Sequence, residues 1–233
     1  MNRTDQGRKM KKRLLVLDVE GTIFERFRIQ DAVIDSTIWQ GIAKALGDDA
    51  VREELQTQKG WQTGGYRTYI EWMRSTVSIH IKYGLTKDIF QDLIKSAKYN
   101  PHVPETIMEV DRGIYVPILV SGGFRELAAR AQRDFNIEHA FAACEYFFGE
   151  DNKLETYNLL PCDFQGKIEF VRMMLKEYDL DSNDWVFVGD GKNDVPVAKA
   201  AAVSVGYRPD PGLRKVVTYR IEDFKELLAI LRK

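Results

Sequence analysis

Leu14-Leu15-Val16-Leu17, followed at once by Asp18-Val19-Glu20-Gly21-Thr22, is the stretch from which the architecture is read. Four consecutive apolar residues ending in an acid and a glycine read as a strand buried on both faces, the mark of a parallel sheet. Similar runs recur at Ile118-Leu119-Val120, Trp185-Val186-Phe187-Val188 and Val203-Ser204-Val205, each bounded by Gly, Asp or Ser. Between them Ile168, Val171, Leu175 and Tyr178 keep helical spacing, and Phe224, Leu227, Leu228 and Leu231 do so near the end. Strands alternating with helices imply an α/β fold, a parallel sheet covered by helices on both faces.

Residues 24–100 interrupt the alternation. They hold amphipathic segments over 32–46, 49–58, 66–83 and 87–99 and no clear buried strand, with Gly60 to Gly65 as a loop between two of the helices. The expected organisation is a basic flexible tail over 1–11, a core domain of 12–23 and 101–233, and a helical cap over 24–100 inserted after the first strand. A second short insert spans about 141–157, where Gly149-Glu150-Asp151-Asn152 between alternating apolar segments predicts a hairpin. Pro117 conflicts with the strand around it, because proline removes a ladder donor. Either the strand starts after it or the sheet tolerates a local defect.

Composition narrows the function. Hydrophobic residues at 44% and charged residues at 30% permit a packed core. A formal net charge of -1 gives no electrostatic reason to expect nucleic acid. The basic start (Arg3, Arg8, Lys9, Lys11, Lys12 and Arg13 against Asp5) reads as a solvated tail. No apolar run is long enough to span a membrane, and the start lacks the apolar stretch of a secretory signal, so the expected location is the cytoplasm. Cys144 and Cys162 form no CxxC pattern, and His80, His102 and His139 are scattered, which leaves zinc nothing to build on.

The chemistry collects just past strand ends. Asp18 and Glu20 follow the first strand; Asp190 and Asp194 follow Val188-Gly189. Sites in open α/β sheets form at the carboxyl ends of strands. If those strands are neighbours, the carboxylates repel one another, and a hard divalent cation relieves this; Mg²⁺ suits carboxylates, phosphate and water. Taken singly, Asp-x-x-Gly and Gly-Asp-Gly are also ordinary turn sequences. Ser121-Gly122-Gly123 precedes a helix, where N–H groups and a hydroxyl can hold a phosphate oxygen, or where Ser121 simply caps the helix. Lys167, after Gly166, opens a helix where the dipole disfavours a cation. It reads either as an exposed lysine or as the partner of an anion cluster. In the insert, Arg67 and Arg74 near Trp61, Tyr66, Tyr69 and Trp72 are candidate substrate contacts. Each alone reads equally as surface charge on a helix whose Tyr69, Trp72, Met73 and Val77 are packed.

In order and spacing, Asp18-Val19-Glu20-Gly21-Thr22, Ser121, Lys167 and Gly189-Asp190-Gly191-Lys192-Asn193-Asp194 resemble the haloacid dehalogenase superfamily, most closely its phosphoserine phosphatase-like branch. Leu119-Val120-Ser121-Gly122-Gly123-Phe124 and Gly166-Lys167 look like that branch's second and third motifs. The resemblance runs from about Lys12 to the end and is weak over 24–100. It implies a Rossmann-like sheet and a Mg²⁺-dependent phosphatase acting on a small phosphorylated metabolite. Asp18 would be the nucleophile, Glu20 the general acid and later the base. Asp18, Asp190 and the backbone carbonyl of Glu20 would hold the metal, with Asp194 and Asn193 behind them. Ser121, Gly122 and Lys167 would bind the phosphoryl oxygens. Glu20 stands where the branch usually has Asp, which looks like enolase-phosphatases and the phosphoserine:homoserine phosphotransferase. Glu25 does not align convincingly as an acid for a substrate amino group. Two alternatives share the fold: a phosphotransferase delivering the phosphoryl group to an alcohol, and a non-enzymatic phospholigand-binding module.

Overall fold

The computed structural model describes residues 12–28 and 35–233. The expected tail over 1–11 and the first residues of the helix expected at 32–46 lie outside these. In chain order the elements are β1 (Arg13–Leu17), β2 (Phe27–Arg28), β3 (Asp35–Ser36), α1 (Ile38–Leu46), α2 (Asp48–Gln62), α3 (Tyr69–Lys82), α4 (Lys87–Ser96) and α5 (Val103–Glu109). There follow β4 (Tyr115–Phe124), α6 (Arg125–Asp134), β5 (His139–Phe148), β6 (Leu154–Leu159), α7 (Gln165–Glu177) and β7 (Trp185–Gly189). The chain ends with α8 (Val195–Ala200), β8 (Val203–Tyr207), β9 (Tyr219–Ile221) and α9 (Glu226–Leu231). Among the described residues, no helix is long and apolar enough to cross a membrane.

The main sheet has seven strands in the order β6-β5-β4-β1-β7-β8-β9. All its pairs are parallel except β5 with β6, the hairpin turning through 149–152. β1 is the central strand and Leu14 to Leu17 are wholly buried. Leu15 and Leu17 pack on one face with Phe124, Leu127 and Val188; Leu14 and Val16 pack on the other with Ile168 and Val171 of α7. An uninterrupted apolar run thus serves two cores at once.

Pro117 lies inside β4 opposite Leu15. The strand starts before it, and the reason is local. β5 pairs with β4 only from Ile118 onward, so Pro117 lies beyond the end of one of its two neighbouring strands. On that flank no ladder bond is lost.

The inserted helices differ from expectation at their ends. α2 runs on through Gly60 to Gln62, so the loop begins only at Thr63. β2 and β3 form a small antiparallel pair before α1, where only helix was expected. Departure and return of the insert are clamped together. Phe24 stacks on Tyr99 at 4.5 Å, and buried Asn100 donates from Nδ2 to the carbonyls of Gly21 and Thr22, each at 3.0 Å. Phe90 of α4 meets Phe124 of β4 at 5.1 Å and Tyr146 of β5 at 5.3 Å, joining insert to sheet. We expect Phe90→Ala to lower stability by about 3–5 kcal/mol in urea unfolding, the usual cost of emptying a buried aromatic site. A loss below about 1 kcal/mol would mean that this joint is not packed.

Candidate active site

β1 and β7 are neighbours, with Leu17 opposite Val188. The Asp18 amide still donates to the Val188 carbonyl at 2.9 Å, so pairing continues to the last residue before the acids diverge. Asp18, Asp190 and Asp194 are all buried, and each offers a carboxylate oxygen within 4.8 Å of the others.

Lys167 is not the exposed lysine that its position could have meant. It is wholly buried, and its Nζ donates to Asp18 Oδ1 at 2.5 Å and Asp194 Oδ1 at 2.8 Å, with Asp163 Oδ1 at 3.9 Å. Burial alone would push the lysine pKa down. Asp18, Asp194 and Asp163 outweigh it and hold the ammonium charged, well above the ordinary lysine range. Burial, and next the Asp194 charge, push Asp18 well above the carboxylate range, while Lys167 opposes them. Asp194 uses its other oxygen to accept the amides of Asp190 (3.1 Å) and Gly191 (3.2 Å), so it secures both Lys167 and the loop after β7.

Asp190 accepts from Thr22 Oγ1 at 3.2 Å and from Arg26 Nε at 2.8 Å. Burial raises its pKa to about 6, against the pull of Arg26. Gly21, at φ +86, lies against this carboxylate, and a Cβ there would collide with it. Ser121-Gly122-Gly123 belongs to the irregular end of β4, where the register with β5 shifts, rather than following the strand. Ser121 Oγ accepts the Gly123 amide at 3.0 Å, and Tyr69 from α3 donates to the Gly122 carbonyl at 2.7 Å.

Glu20 lines the same cavity as Asp18. Its Oε2 accepts the amide of Ile38, the first residue of α1, at 2.9 Å. Burial raises its pKa to about 7, opposed by that hydrogen bond and by Arg26. Asp18, Glu20, Ser121 and Gly122 line one cavity of about 200 Å³. Tyr69, Trp72 and Phe164 line it too. Trp61 stacks on Trp72 at 5.1 Å and lies 5.6 Å from Phe164, whose φ of 47 is unusual for a bulky residue.

Asn193 donates from Nδ2 to Asp163 Oδ1 at 2.8 Å, which steadies that acid. Arg67 and Arg74 are exposed and line no part of the cavity, and Glu25 is exposed as well. Sequence reasoning passed over Arg26, Asp163, Phe164 and Glu54. Asp163 carried a faint signal, four residues before Lys167 and thus within reach along a helix start. Cys144 and Cys162 are free and buried.

Donor chemistry and crowding fit a hard divalent cation. Asp18 and Asp190 present oxygens close together, both carboxyls are pushed up first by burial and then by neighbouring acids, and a cation would oppose that push. The Asp194 oxygens are already taken by Lys167 and two amides, so this acid supports the donors from behind.

A family model described as haloacid dehalogenase-like hydrolase matches residues 12–202. The chain belongs to that family. Within it, a phosphoserine phosphatase of Lactococcus lactis is 26% identical over 231 residues, covering 94% of each chain. One from Methanocaldococcus jannaschii is 25% identical over 231 residues, covering 95% of this chain and 99% of its own. Among solved structures, a phospho-aspartyl intermediate analogue of phosphoserine phosphatase superposes with a TM-score of 0.75 at 24% identity, covering 94% of this chain and 99% of that one. A substrate-bound phosphoserine phosphatase complex gives 0.75 at 23% identity, covering 94% and 98%.

The wall of the cavity also carries Glu54 of α2, 3% exposed, with Oε2 lacking any hydrogen-bond partner. Burial raises its pKa from 4.5 to about 7. The folded protein therefore keeps a proton that the unfolded chain releases. This contribution to stability is complete below about pH 4.5 and is lost as pH rises to about 7. Between these limits the metal-free protein should lose on the order of 2 kcal/mol more than Glu54→Gln does, read from urea unfolding at each pH. Parallel pH profiles for the two proteins would mean that Glu54 is solvated in the folded state.

Proposed function

We propose that this phosphoserine phosphatase-like enzyme hydrolyses a small phosphomonoester with Mg²⁺ as cofactor, passing through an aspartyl-phosphate on Asp18. The observation that carries this reading is one cavity holding a lysine-paired carboxylate, Asp18, and a second carboxyl, Glu20, whose pKa of about 7 lets it both give and take a proton near neutrality. Asp18 attacks phosphorus, and the bond from phosphorus to the alcohol oxygen breaks. Glu20 gives its proton to that oxygen. A water then attacks the aspartyl-phosphate, Glu20 takes a proton from it, and phosphate leaves with Asp18 restored. Splitting the displacement through a covalent carboxylate replaces one difficult step with two easier ones. Lys167, the Ser121 hydroxyl and the amides around Gly122 supply positive charge and donors for the phosphoryl oxygens. Bound by Asp18, Asp190 and the Glu20 carbonyl, Mg²⁺ would supply neutralisation of charge on the phosphoryl group. Residues 24–100 act as the cap in this reading and close over the leaving group. The names of the relatives make phosphoserine the first substrate to assay.

Asp18→Asn keeps the shape and removes the attacking charge. Turnover should fall by at least about 10³-fold while the unfolding midpoint holds or rises, since a crowded buried charge is removed. Near-normal turnover would end the covalent reading. Removing divalent metal with EDTA should stop activity and Mg²⁺ should restore it; full activity after rigorous chelation would contradict the metal assignment. Adding acceptor alcohols and looking for a new phosphoester separates hydrolysis from phosphotransfer.

For Glu20→Gln we expect kcat/KM to drop about 10²–10⁴-fold on alkyl phosphates, whose alkoxide needs a proton, and far less on p-nitrophenyl phosphate. The wild-type kcat/KM on alkyl phosphates should decline as pH rises through about 7, where Glu20 loses its proton. Equal losses on both substrate classes would show that Glu20 is not the acid.

A further inference from the structure

Among the described residues, the buried side-chain atoms without a partner are Glu54 Oε2, His80 Nε2, Thr106 Oγ1, Glu126 Oε2 and Tyr207 Oη. Of their residues only Glu54 lines the cavity that holds Asp18 and Glu20. The proposed chemistry does not use Glu54. A buried carboxyl without a counter-charge is costly to ionise, and such a group in a binding cavity points to a cationic ligand.

The surrounding walls favour the same ligand. Trp39, Tyr69, Trp72 and Phe164 line the cavity with Glu54. The polar handles of two of them are already engaged inside the protein, Tyr69 with the Gly122 carbonyl and Trp72 Nε1 with Thr57 Oγ1 at 3.3 Å. Their rings are what remains to offer, and aromatic faces beside a carboxylate attract ammonium groups. The basic side chain among the described lining residues is Arg26, and it is held on Asp190 at 2.6 Å. α2 and α3 bring no lysine or arginine into the lining, so they provide no clamp for a substrate carboxylate.

We infer that the leaving half of the substrate is a short alcohol bearing a cationic amine, with Glu54 as its counter-ion and the aromatic rings as its walls, and that this alcohol needs no carboxylate. The substrate class is then a phosphorylated amino alcohol. The raised pKa of Glu54 agrees with this: burial disfavours its ionised form, and an arriving ammonium group would favour it. The inference rests on the phosphatase reading for its kinetic test and on the cavity alone for its binding test.

The decisive comparison is between O-phosphoethanolamine and n-propyl phosphate, which differ by an ammonium in place of a methyl group. With Mg²⁺ present, wild-type kcat/KM should favour O-phosphoethanolamine about 10–100-fold, the usual worth of a charge-assisted contact. Glu54→Gln should reduce kcat/KM on O-phosphoethanolamine at least about tenfold more than on p-nitrophenyl phosphate. O-phosphoserine should be no better a substrate than O-phosphoethanolamine. Equal wild-type rates on the two isosteres, a uniform loss in Glu54→Gln, or a strong preference for O-phosphoserine would each overturn the proposal. If no ester is hydrolysed, p-nitrophenyl phosphate included, the phosphatase reading fails. Calorimetric titration of the wild-type protein with the two isosteres then decides the inference: tighter binding of the amine supports it, and equal affinity overturns it.

Discussion

A charged lysine with no access to water is tolerable only if anions surround it, and the carboxyl end of this sheet is organised around that requirement. The Lys167 ammonium ties Asp18 at the end of β1 to Asp194 after β7, from its own seat near the start of α7. Three elements distant in sequence are thereby fixed to one point. Removing the lysine itself would strand these buried carboxylates, which typically costs about 3–5 kcal/mol. The same arrangement leaves Asp18 poised: one oxygen is anchored, and the carboxylate remains beside the cavity in which a phosphate would sit.

Charge is not balanced at this end. Asp18, Glu20, Asp163, Asp190 and Asp194 confront Lys167 and Arg26; burial first, with neighbouring acids adding to it, pushes Asp18, Glu20, Asp163 and Asp190 upward. The inserted helices take part in the tuning. The first amide of α1 binds Glu20. Opposed effects, burial upward and the helix amide downward, leave the acid near neutrality. Its protonation is therefore tied to the position of a helix outside the sheet. Tyr69 makes a second such tie by reaching across to the Gly122 carbonyl.

What the sequence disclosed follows from how local each signal is. β1, β4, β7 and β8 were visible because strands buried on both faces are largely apolar, and the acids after β1 and β7 were visible because they stand next to those runs. The helical insert and the 149–152 hairpin were visible for similar reasons. Helix ends were less so: α2 continues through Gly60 because its packing outweighs the cost of a glycine in a helix. The burial of Lys167 could be inferred only from the resemblance, since nothing local distinguishes it from a surface lysine. Arg26, Asp163 and Glu54 were missed because their surroundings are assembled from separate segments: Arg26 meets an acid after β7, Asp163 meets Lys167 and Asn193, and Glu54 is enclosed by the packing of α2 against its neighbours. Arg67 and Arg74 misled for the opposite cause. Arginine beside aromatics is ambiguous until its exposure is known, and both side chains are exposed, Arg67 just before α3 and Arg74 on it.

The central strand has its two partners far along the chain. Leu14 to Leu17 pair with Val116 to Leu119 on one side and with Trp185 to Val188 on the other. During synthesis the most apolar segment of the sheet emerges first and completes its ladder among the last. Until then it is an unpaired hydrophobic edge, the kind of surface that chaperones bind and that aggregates when they do not. The insert can gather its local helical contacts in the meantime, while the sheet waits on closures of long sequence separation, which are slow. The ladder around β1 therefore cannot close before β7 arrives, however early the helices form.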